Sequence, residues 1–401
     1  MDWTTRFPGV GAADWTDWRW QLRHALRTEA ELARVVALTA DERRGLALGG
    51  LRTAVTPYYA ALADPGDPGC PVRRQAIPVG AEGVAAPGDR VDPTGEELHR
   101  PLPAVVHKYP DRALLLVTDA CPVYCRHCTR RRITGGGSGA LDRGAVEAGI
   151  AYVRAHPGVR DVIVSGGDPL VLSDERLEEV LAALRAIPHV RILRVATRAP
   201  VVLPMRVDDA LARLLRRHAP LFVVTHFNHP RELTAEARAA CERLVDAGVP
   251  VENQAVLLRG INSSARVVCE LFETLLTWRV RAYYLHQGDL AAGTGHLRTP
   301  LSAGIEILRA LRGRTSGLAI PQLAIDLPDG GGKVTVGPDY AAGGAAGGDR
   351  GAAGPVRGTW LRGHSGAAIL YPDPPSDDCR CAEDRAWAEG AGHAAGAGGA
   401  T

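Results

Sequence analysis

From about residue 113 the chain alternates short apolar runs with longer stretches of helical periodicity. Residues 113–117 read as a strand, 142–155 as a helix and 161–164 as a strand. Ser173 caps a helix to about Ala186, and 190–196 is the next strand. The pattern continues with helix 208–218, strand 221–224, helix 234–247, strand 253–258, helix 265–277 and strand 279–286. Six strands in βα alternation predict parallel strands, either closing into a barrel or lying in a doubly wound sheet. Polar residues recur where these strands end: the segment from Cys121, then Ser165-Gly166-Gly167-Asp168, Thr197-Arg198, Thr225-His226-Phe227-Asn228-His229 and Gln287-Gly288-Asp289, with Gln254 on strand five. Parallel α/β folds gather their chemistry at that rim.

The flanks read differently. Trp15, Trp18 and Leu22 fall at i, i+3 and i+7 and predict one helix whose tryptophan stripe is core or a subunit contact. Thr39 with Glu42 forms a capping box that opens another helix. The segment 64–71 is a turn-rich crossing, and 79–104, rich in Gly and Pro, reads as a loop or linker. After a helix at 305–311 comes Ala324-Ile325-Asp326-Leu327-Pro328-Asp329-Gly330-Gly331-Gly332-Lys333. Residues 341–354 and 390–400 are Ala/Gly-rich and read as flexible. The expected division is an N-terminal helical region and linker (1–104), a partial barrel (105–300), a C-terminal segment carrying Lys333 and oligomer contacts (301–385) and a tail (386–401).

Composition narrows the class. A 46% apolar content in 401 residues supports an ordinary globular core. A net charge of +2 gives no case for nucleic acid or an anionic membrane surface. No apolar run approaches the ~20 residues of a membrane span, and the N-terminus does not read as a signal peptide. Eight unevenly spaced cysteines do not form a disulfide framework, which points to a reducing, cytoplasmic setting.

Three of those cysteines carry the first chemistry. Cys121, Cys125 and Cys128 stand at C-x3-C-x2-C spacing, followed by Arg130, Arg131 and Arg132 and a Gly-rich run to 137. Thiolates are soft ligands. Three on one loop hold three irons of a cubane cluster and leave the fourth iron open to a small molecule. The alternatives are a zinc site with His127 as fourth ligand, or three inert thiols. The second constellation is the Gly run ending in Lys333. It lacks the first Gly and the Ser or Thr of a phosphate-binding P-loop, with Leu327 and Val334 in those places. A lysine there can form a Schiff base with pyridoxal phosphate (PLP), or it sits on an ordinary solvated turn.

The cysteine loop resembles the signature of radical S-adenosylmethionine (SAM) enzymes. Its wider context, from His107-Lys108-Tyr109-Pro110-Asp111-Arg112 through Cys128-Thr129-Arg130-Arg131-Arg132, is similar to the lysine 2,3-aminomutase branch, with resemblance over about residues 15–381. The resemblance implies a partial (β/α)6 TIM-like barrel with an N-terminal helical region and a C-terminal PLP-lysine segment. It implies a [4Fe-4S] cluster on Cys121, Cys125 and Cys128, and SAM contacts at Gly166, Gly167, Asp168, His226 and Gln254. Lys333 would be the PLP lysine and catalytic residue, with Lys108, Tyr109 and Arg112 around the phosphate. Lys108 stands where the family usually has Arg, which keeps the charge but loses the bidentate fork. The implied reaction is migration of the L-lysine α-amino group to C3, giving β-lysine, by a 5′-deoxyadenosyl radical and a PLP aldimine. Arg130 would clamp the substrate carboxylate. Asp289 and Asp326 would hold the distal ammonium, since a buried cation needs paired anions. Arginine as substrate, giving β-arginine, suits two carboxylates as well.

The partners expected from the resemblance are a small amino-acid substrate, a flavodoxin- or ferredoxin-type reductant and further copies of the chain in a homo-oligomer. Cys379 and Cys381 match part of a family zinc site. Asp384 and Ser264 stand where its other cysteines are expected, which puts the zinc and the usual tetramer in doubt. Met205 replaces an expected polar residue. Three other readings compete: a hydrolase built on Gly363-His364-Ser365, which lacks the last Gly of a nucleophile elbow; a zinc-binding interaction protein; and a PLP-free radical SAM enzyme.

Overall fold

The structure, a computed structural model, describes residues 3–134, 141–341, 350–351, 354–355, 358–363 and 366–372. Ser365, Cys379, Cys381, Asp384, the 386–401 tail, most of 341–354 and the Gly-rich residues 135–137 lie outside the described residues.

Strand β1 (Val105–Tyr109) turns back on β2 (Arg112–Thr118) as an antiparallel hairpin. Then follow β3 (Asp161–Gly166), β4 (Ile192–Ala196), β5 (Leu221–Thr225), β6 (Val251–Leu257), β7 (Arg281–Gln287), β8 (Gln322–Leu327) and β9 (Gly332–Val336). Among the described residues these make one nine-stranded sheet in chain order, parallel from β2 through β8, with β1 and β9 antiparallel at its two edges. The sheet is the expected partial barrel with one more parallel strand than the apolar pattern showed. Strand β8 was not legible because its burial is uneven: Leu323 and Ala324 are buried while Gln322 and Leu327 are exposed.

The N-terminal helices are α1 (Ala12–Thr16), α2 (Trp18–Arg23), α3 (Glu29–Leu32), α4 (Ala40–Ala47), α5 (Pro57–Leu62) and α6 (Pro71–Ala76). Then come α7 (Arg143–Ala155), α8 (Asp174–Arg185), α9 (Ala199–Val202), α10 (Asp209–Arg217), α11 (Ala235–Asp246), α12 (Ala265–Thr277) and α13 (Leu301–Leu311). Most of the crossover helices start where a side chain can satisfy an orphan N–H. Asp142, Ser173, Asp208 and Thr234 each accept from the third helical residue. On the strand faces turned to the helices, Leu115, Val162, Val164, Val195, Val223 and Leu285 are fully buried, Leu115 against Gly149 of α7.

The single helix expected through Trp15, Trp18 and Leu22 is two. The Asp17 side chain accepts from Arg19 N and caps α2, so the chain breaks there. Trp15 and Trp18 are buried as expected of core; Trp15 stacks on Trp3 at 4.4 Å, and the Arg206 guanidinium lies 4.6 Å from the Trp18 ring. The Thr39–Glu42 capping box is present. The N-terminal region is joined to the barrel by buried polar bonds: Thr56 Oγ1 donates to Val202 O (2.6 Å) and Tyr59 Oη to Glu232 (2.6 Å). Among the described residues, those up to Pro338 form one compact unit and those from Asp339 another. In the second, Gly358–Arg362 pairs antiparallel with Ala368–Pro372.

Candidate active site

The three cysteines follow β2 on the rim where the parallel strands end. Cys121, Cys125 and Cys128 are all partly buried. Burial pushes the Cys121 thiol well up, with the nearby Cys128, Asp168 and Cys125 adding to it. Cys128 is raised by burial and then by Cys125. Protein groups alone thus disfavour thiolates at Cys121 and Cys128, whereas coordination to iron deprotonates thiols outright. The donor set fits an iron–sulfur cluster. His127, the extra ligand of the zinc alternative, is buried with Nε2 3.4 Å from the Asn228 amide nitrogen. Among the described residues no group of three or more His, Cys, Asp or Glu side chains is arranged to hold a single metal ion.

The glycines after β3 press against this loop. A Cβ on Gly166 would stand 2.1 Å from Thr118 O, and one on Gly167 2.1 Å from Ala120 O. Gly166 has φ +131°, a region open chiefly to glycine. The Gly166-Gly167 turn is therefore required by its contact with the segment leading into Cys121. Asp168 is buried, and its carboxylate accepts from Leu170 N, Thr197 Oγ1 (2.6 Å) and Arg198 N (2.7 Å). Burial nonetheless raises its pKa. Both of its oxygens are occupied within the protein, so this residue ties the end of β4 to the turn.

Farther along the rim, His226 Nε2 is buried and has no hydrogen-bond partner among the described residues. Burial, then Arg198 and His286, push its pKa down to about 3. A buried unpaired nitrogen asks for a ligand or water, which fits a SAM contact. Gln254 Oε1 lies 3.4 Å from His286 Nε2, and His286 Nδ1 lies 3.4 Å from Lys333 Nζ. Burial and the Lys333 charge hold His286 neutral, at a pKa of about 3. The two contacts assign its proton to Nε2. Sequence reading missed His286. Its signal was a strand-end polar residue between Gln254 and Asp289, but only the sheet register places it between the two constellations.

Lys333 is on strand β9, not on a free turn. The β8–β9 register sets it directly opposite Asp326, and the two side chains form an ion pair. Asp329 (φ 56°) and Gly330 (φ 80°) make the reversal. Lys333 N donates to Tyr109 Oη (2.8 Å), and Nζ lies 5.4 Å from the Tyr284 ring centre. Arg112 stacks over the Tyr109 ring at 4.1 Å, while Lys108 Nζ donates to Thr94 O (3.1 Å). Tyr109, with Arg112 over its ring, thus brings the β1–β2 hairpin against Lys333, and a guanidinium there fits a phosphate ester beside a Schiff-base lysine; Lys108 is engaged by the Thr94 carbonyl instead.

Arg130 is ion-paired with Glu96 at 2.7 Å. Burial opposes its charge, but Glu96 outweighs it, with smaller help from Cys128 and Asp326. Asp289 is partly buried. Burial and then Asp326 push its pKa up to about 7, against Lys333 and Arg130. Asp289, Asp326, Lys333 and Arg130 therefore share one electrostatic neighbourhood. The sequence reading did not supply the acids that balance the basic segment. Glu82 pairs with Arg126 (2.6 Å) and Arg131 (2.7 Å), and Asp92, Glu96 and Glu97 pair with Arg132. All come from 79–104, read in sequence only as a linker.

A three-cysteine loop at the C-terminal rim of an open parallel barrel defines a radical SAM enzyme, and the Radical SAM superfamily matches residues 115–271. The Lysine-2,3-aminomutase family matches residues 308–383. The chain is 50% identical over 336 residues to the L-lysine 2,3-aminomutase of Clostridium subterminale, covering 83% of this chain and 81% of that one. It is 44% identical over 362 residues to the L-lysine 2,3-aminomutase of Bacillus subtilis (strain 168), covering 90% and 75%. A glutamate 2,3-aminomutase of Clostridioides difficile (strain 630) is 40% identical over 329 residues, covering 82% and 78%. The chain belongs to the lysine 2,3-aminomutase family. It is an isomerase of the radical SAM type, and its cofactors are a [4Fe-4S] cluster, SAM and PLP.

Proposed function

We propose that this enzyme moves the α-amino group of L-lysine to C3, producing β-lysine. The observation that carries the reading is the meeting, on one rim, of the segment that follows the thiols and the Lys333 hairpin, where Arg130, Asp289, Asp326 and Lys333 share one electrostatic neighbourhood. Cys121, Cys125 and Cys128 would hold the cluster. His226 and Gln254 would face SAM, with Gly166 and Gly167 shaping that wall and Asp168 holding the turn. Lys333 would carry PLP, with Lys108, Tyr109 and Arg112 toward its phosphate. When bound, these groups supply a carbon-centred radical and an electron sink for the migrating nitrogen.

The chain's own residues fix the substrate. Arg130 offers a planar fork to the α-carboxylate, and Glu96 holds that fork from behind. Asp289 and Asp326 face a distal ammonium. Asp326 is the counter-ion of Lys333 while that lysine carries no PLP, and it would face the substrate's side-chain ammonium once the lysine is engaged. Two acids in one neighbourhood repel a glutamate side chain and favour a cation. Neutral His286 accepts from Lys333 without adding a competing charge.

A soluble low-potential reductant is the proposed electron source, and a homo-oligomer in the cytoplasm the proposed working form. No helix among the described residues is long and apolar enough to cross a membrane. Reconstituted, reduced enzyme incubated anaerobically with SAM, PLP and equal lysine and arginine should yield β-lysine alone by mass spectrometry. β-Arginine as the main product would overturn the substrate assignment while keeping the chemistry. Formation of 5′-deoxyadenosine with neither product would leave only the radical SAM half.

A further inference from the structure

Arg198 lies behind the cysteine loop, at the end of β4, with its side chain 8% exposed. Its Nη1 donates to Cys125 Sγ at 2.8 Å. Nη2 donates to Gln75 Oε1 (2.6 Å), Glu232 Oε1 (2.7 Å) and Tyr59 Oη (3.1 Å), and Nε to His226 O (3.2 Å). Glu232 is wholly buried. Besides Arg198 it accepts from Tyr59 Oη (2.6 Å), Gln75 Nε2 (3.2 Å), Asn228 N (2.6 Å) and His229 N (2.9 Å). Tyr59 and Gln75 come from the N-terminal helices, Arg198 from the end of β4 and Glu232 from the loop after β5. Three separate parts of the chain therefore hold one guanidinium against one cysteine sulfur.

Buried ion pairs add little net stability over well-packed apolar residues. Stability alone does not explain why a cation is kept here, or why one of its N–H groups is aimed at a sulfur. Among the described residues, Cys125 is the only cluster cysteine given such a bond by a charged side chain.

We propose that Arg198 is a positioning residue that raises the reduction potential of the iron–sulfur cluster through its hydrogen bond to the Cys125 sulfur. Reduction adds one negative charge to the cluster. A cationic donor on a ligating sulfur stabilises that charge, and such bonds are among the protein's means of setting the potential. Glu232, one bond farther away, partly offsets the cation and fixes its position. The same guanidinium holds the His226 carbonyl, so the residue assigned to the SAM wall is set in register with the cluster. The inference rests on the reading of Cys125 as a cluster ligand.

The test uses the full-length reconstituted enzyme, measuring iron and sulfide content and an EPR-monitored redox titration without SAM or substrate. Arg198→Gln should keep its iron and lower the midpoint by about 59 mV, a tenfold loss in the one-electron reduction equilibrium. Arg198→Lys should recover at least half of that shift. Glu232→Gln should move the midpoint the opposite way, upward, which a merely structural role does not predict. A wild-type midpoint in Arg198→Gln at full iron content overturns the proposal and leaves the cluster assignment intact. If Arg198→Gln takes up no iron, Glu232→Gln decides, and a midpoint at or below wild type overturns the proposal. Absence of iron from the wild-type enzyme, as from Cys125→Ser, overturns the cluster assignment itself.

Discussion

The cysteine side and the lysine side of this rim solve opposite problems. Behind the cysteines, charges are buried and fully partnered. Arg198 and Glu232 share a closed set of bonds, and Asp168 has its carboxylate fully engaged. Around Lys333 the charges are partly exposed, with Lys333 26% and Asp326 20% exposed, and their pairing is of a kind a ligand can replace. Asp289 sits beside them with a pKa pushed near neutrality. A site that starts a radical has to be fixed before the reaction, because preorganised dipoles and charges act without rearranging. A site that admits a cationic substrate and releases a lysine needs partners that exchange.

The largest effect should come from separating the two sides. Lys333→Ala should abolish β-amino acid formation and the absorbance change on adding PLP, while iron content stays at the wild-type level. Loss of iron together with PLP binding would show that the sides are not independent. Next, Asp326→Asn removes one partner of a partly buried charge pair, at a cost of about 2–5 kcal/mol. This should lower kcat/KM for lysine roughly 30-fold or more and leave the cluster's midpoint unchanged.

The exchangeable side should also be the pH-sensitive one. Asp289 is neutral below about pH 7 and anionic above it. The lysine side chain stays charged to ~pH 10. Binding of that cation favours the anion, so kcat/KM should fall about tenfold per pH unit below 7 and level off above it. Asp289→Asn should flatten that limb, and its persistence would assign the titration elsewhere. The smallest effect is expected on the fixed side. Gly167→Ala drives a Cβ into Ala120 O and should cost about 1–3 kcal/mol of stability by overpacking. It would be read as a lower thermal midpoint, and an unchanged midpoint would mean that this wall is looser than its contacts indicate.

Local chemistry made much of this legible in the sequence. The C-x3-C-x2-C spacing, the Gly run before Lys333, the Thr39–Glu42 capping box and the βα alternation are each contained in one short window, where periodicity and residue type suffice. Even there one break was missed, at Asp17, because the tryptophan spacing runs on past a residue that caps the next helix. The pairings were not legible. Arg198 meets Cys125 across 73 residues, Arg126 meets Glu82 across 44, and His286 stands between Gln254 and Lys333 only through the register of β6, β7 and the β8–β9 hairpin. The sequence by itself determined which chemistry the rim carries, since ligand spacing and turn residues are local properties. The tertiary structure decided which charge faces which, because strand register and loop closure bring distant residues together without leaving a local pattern to read.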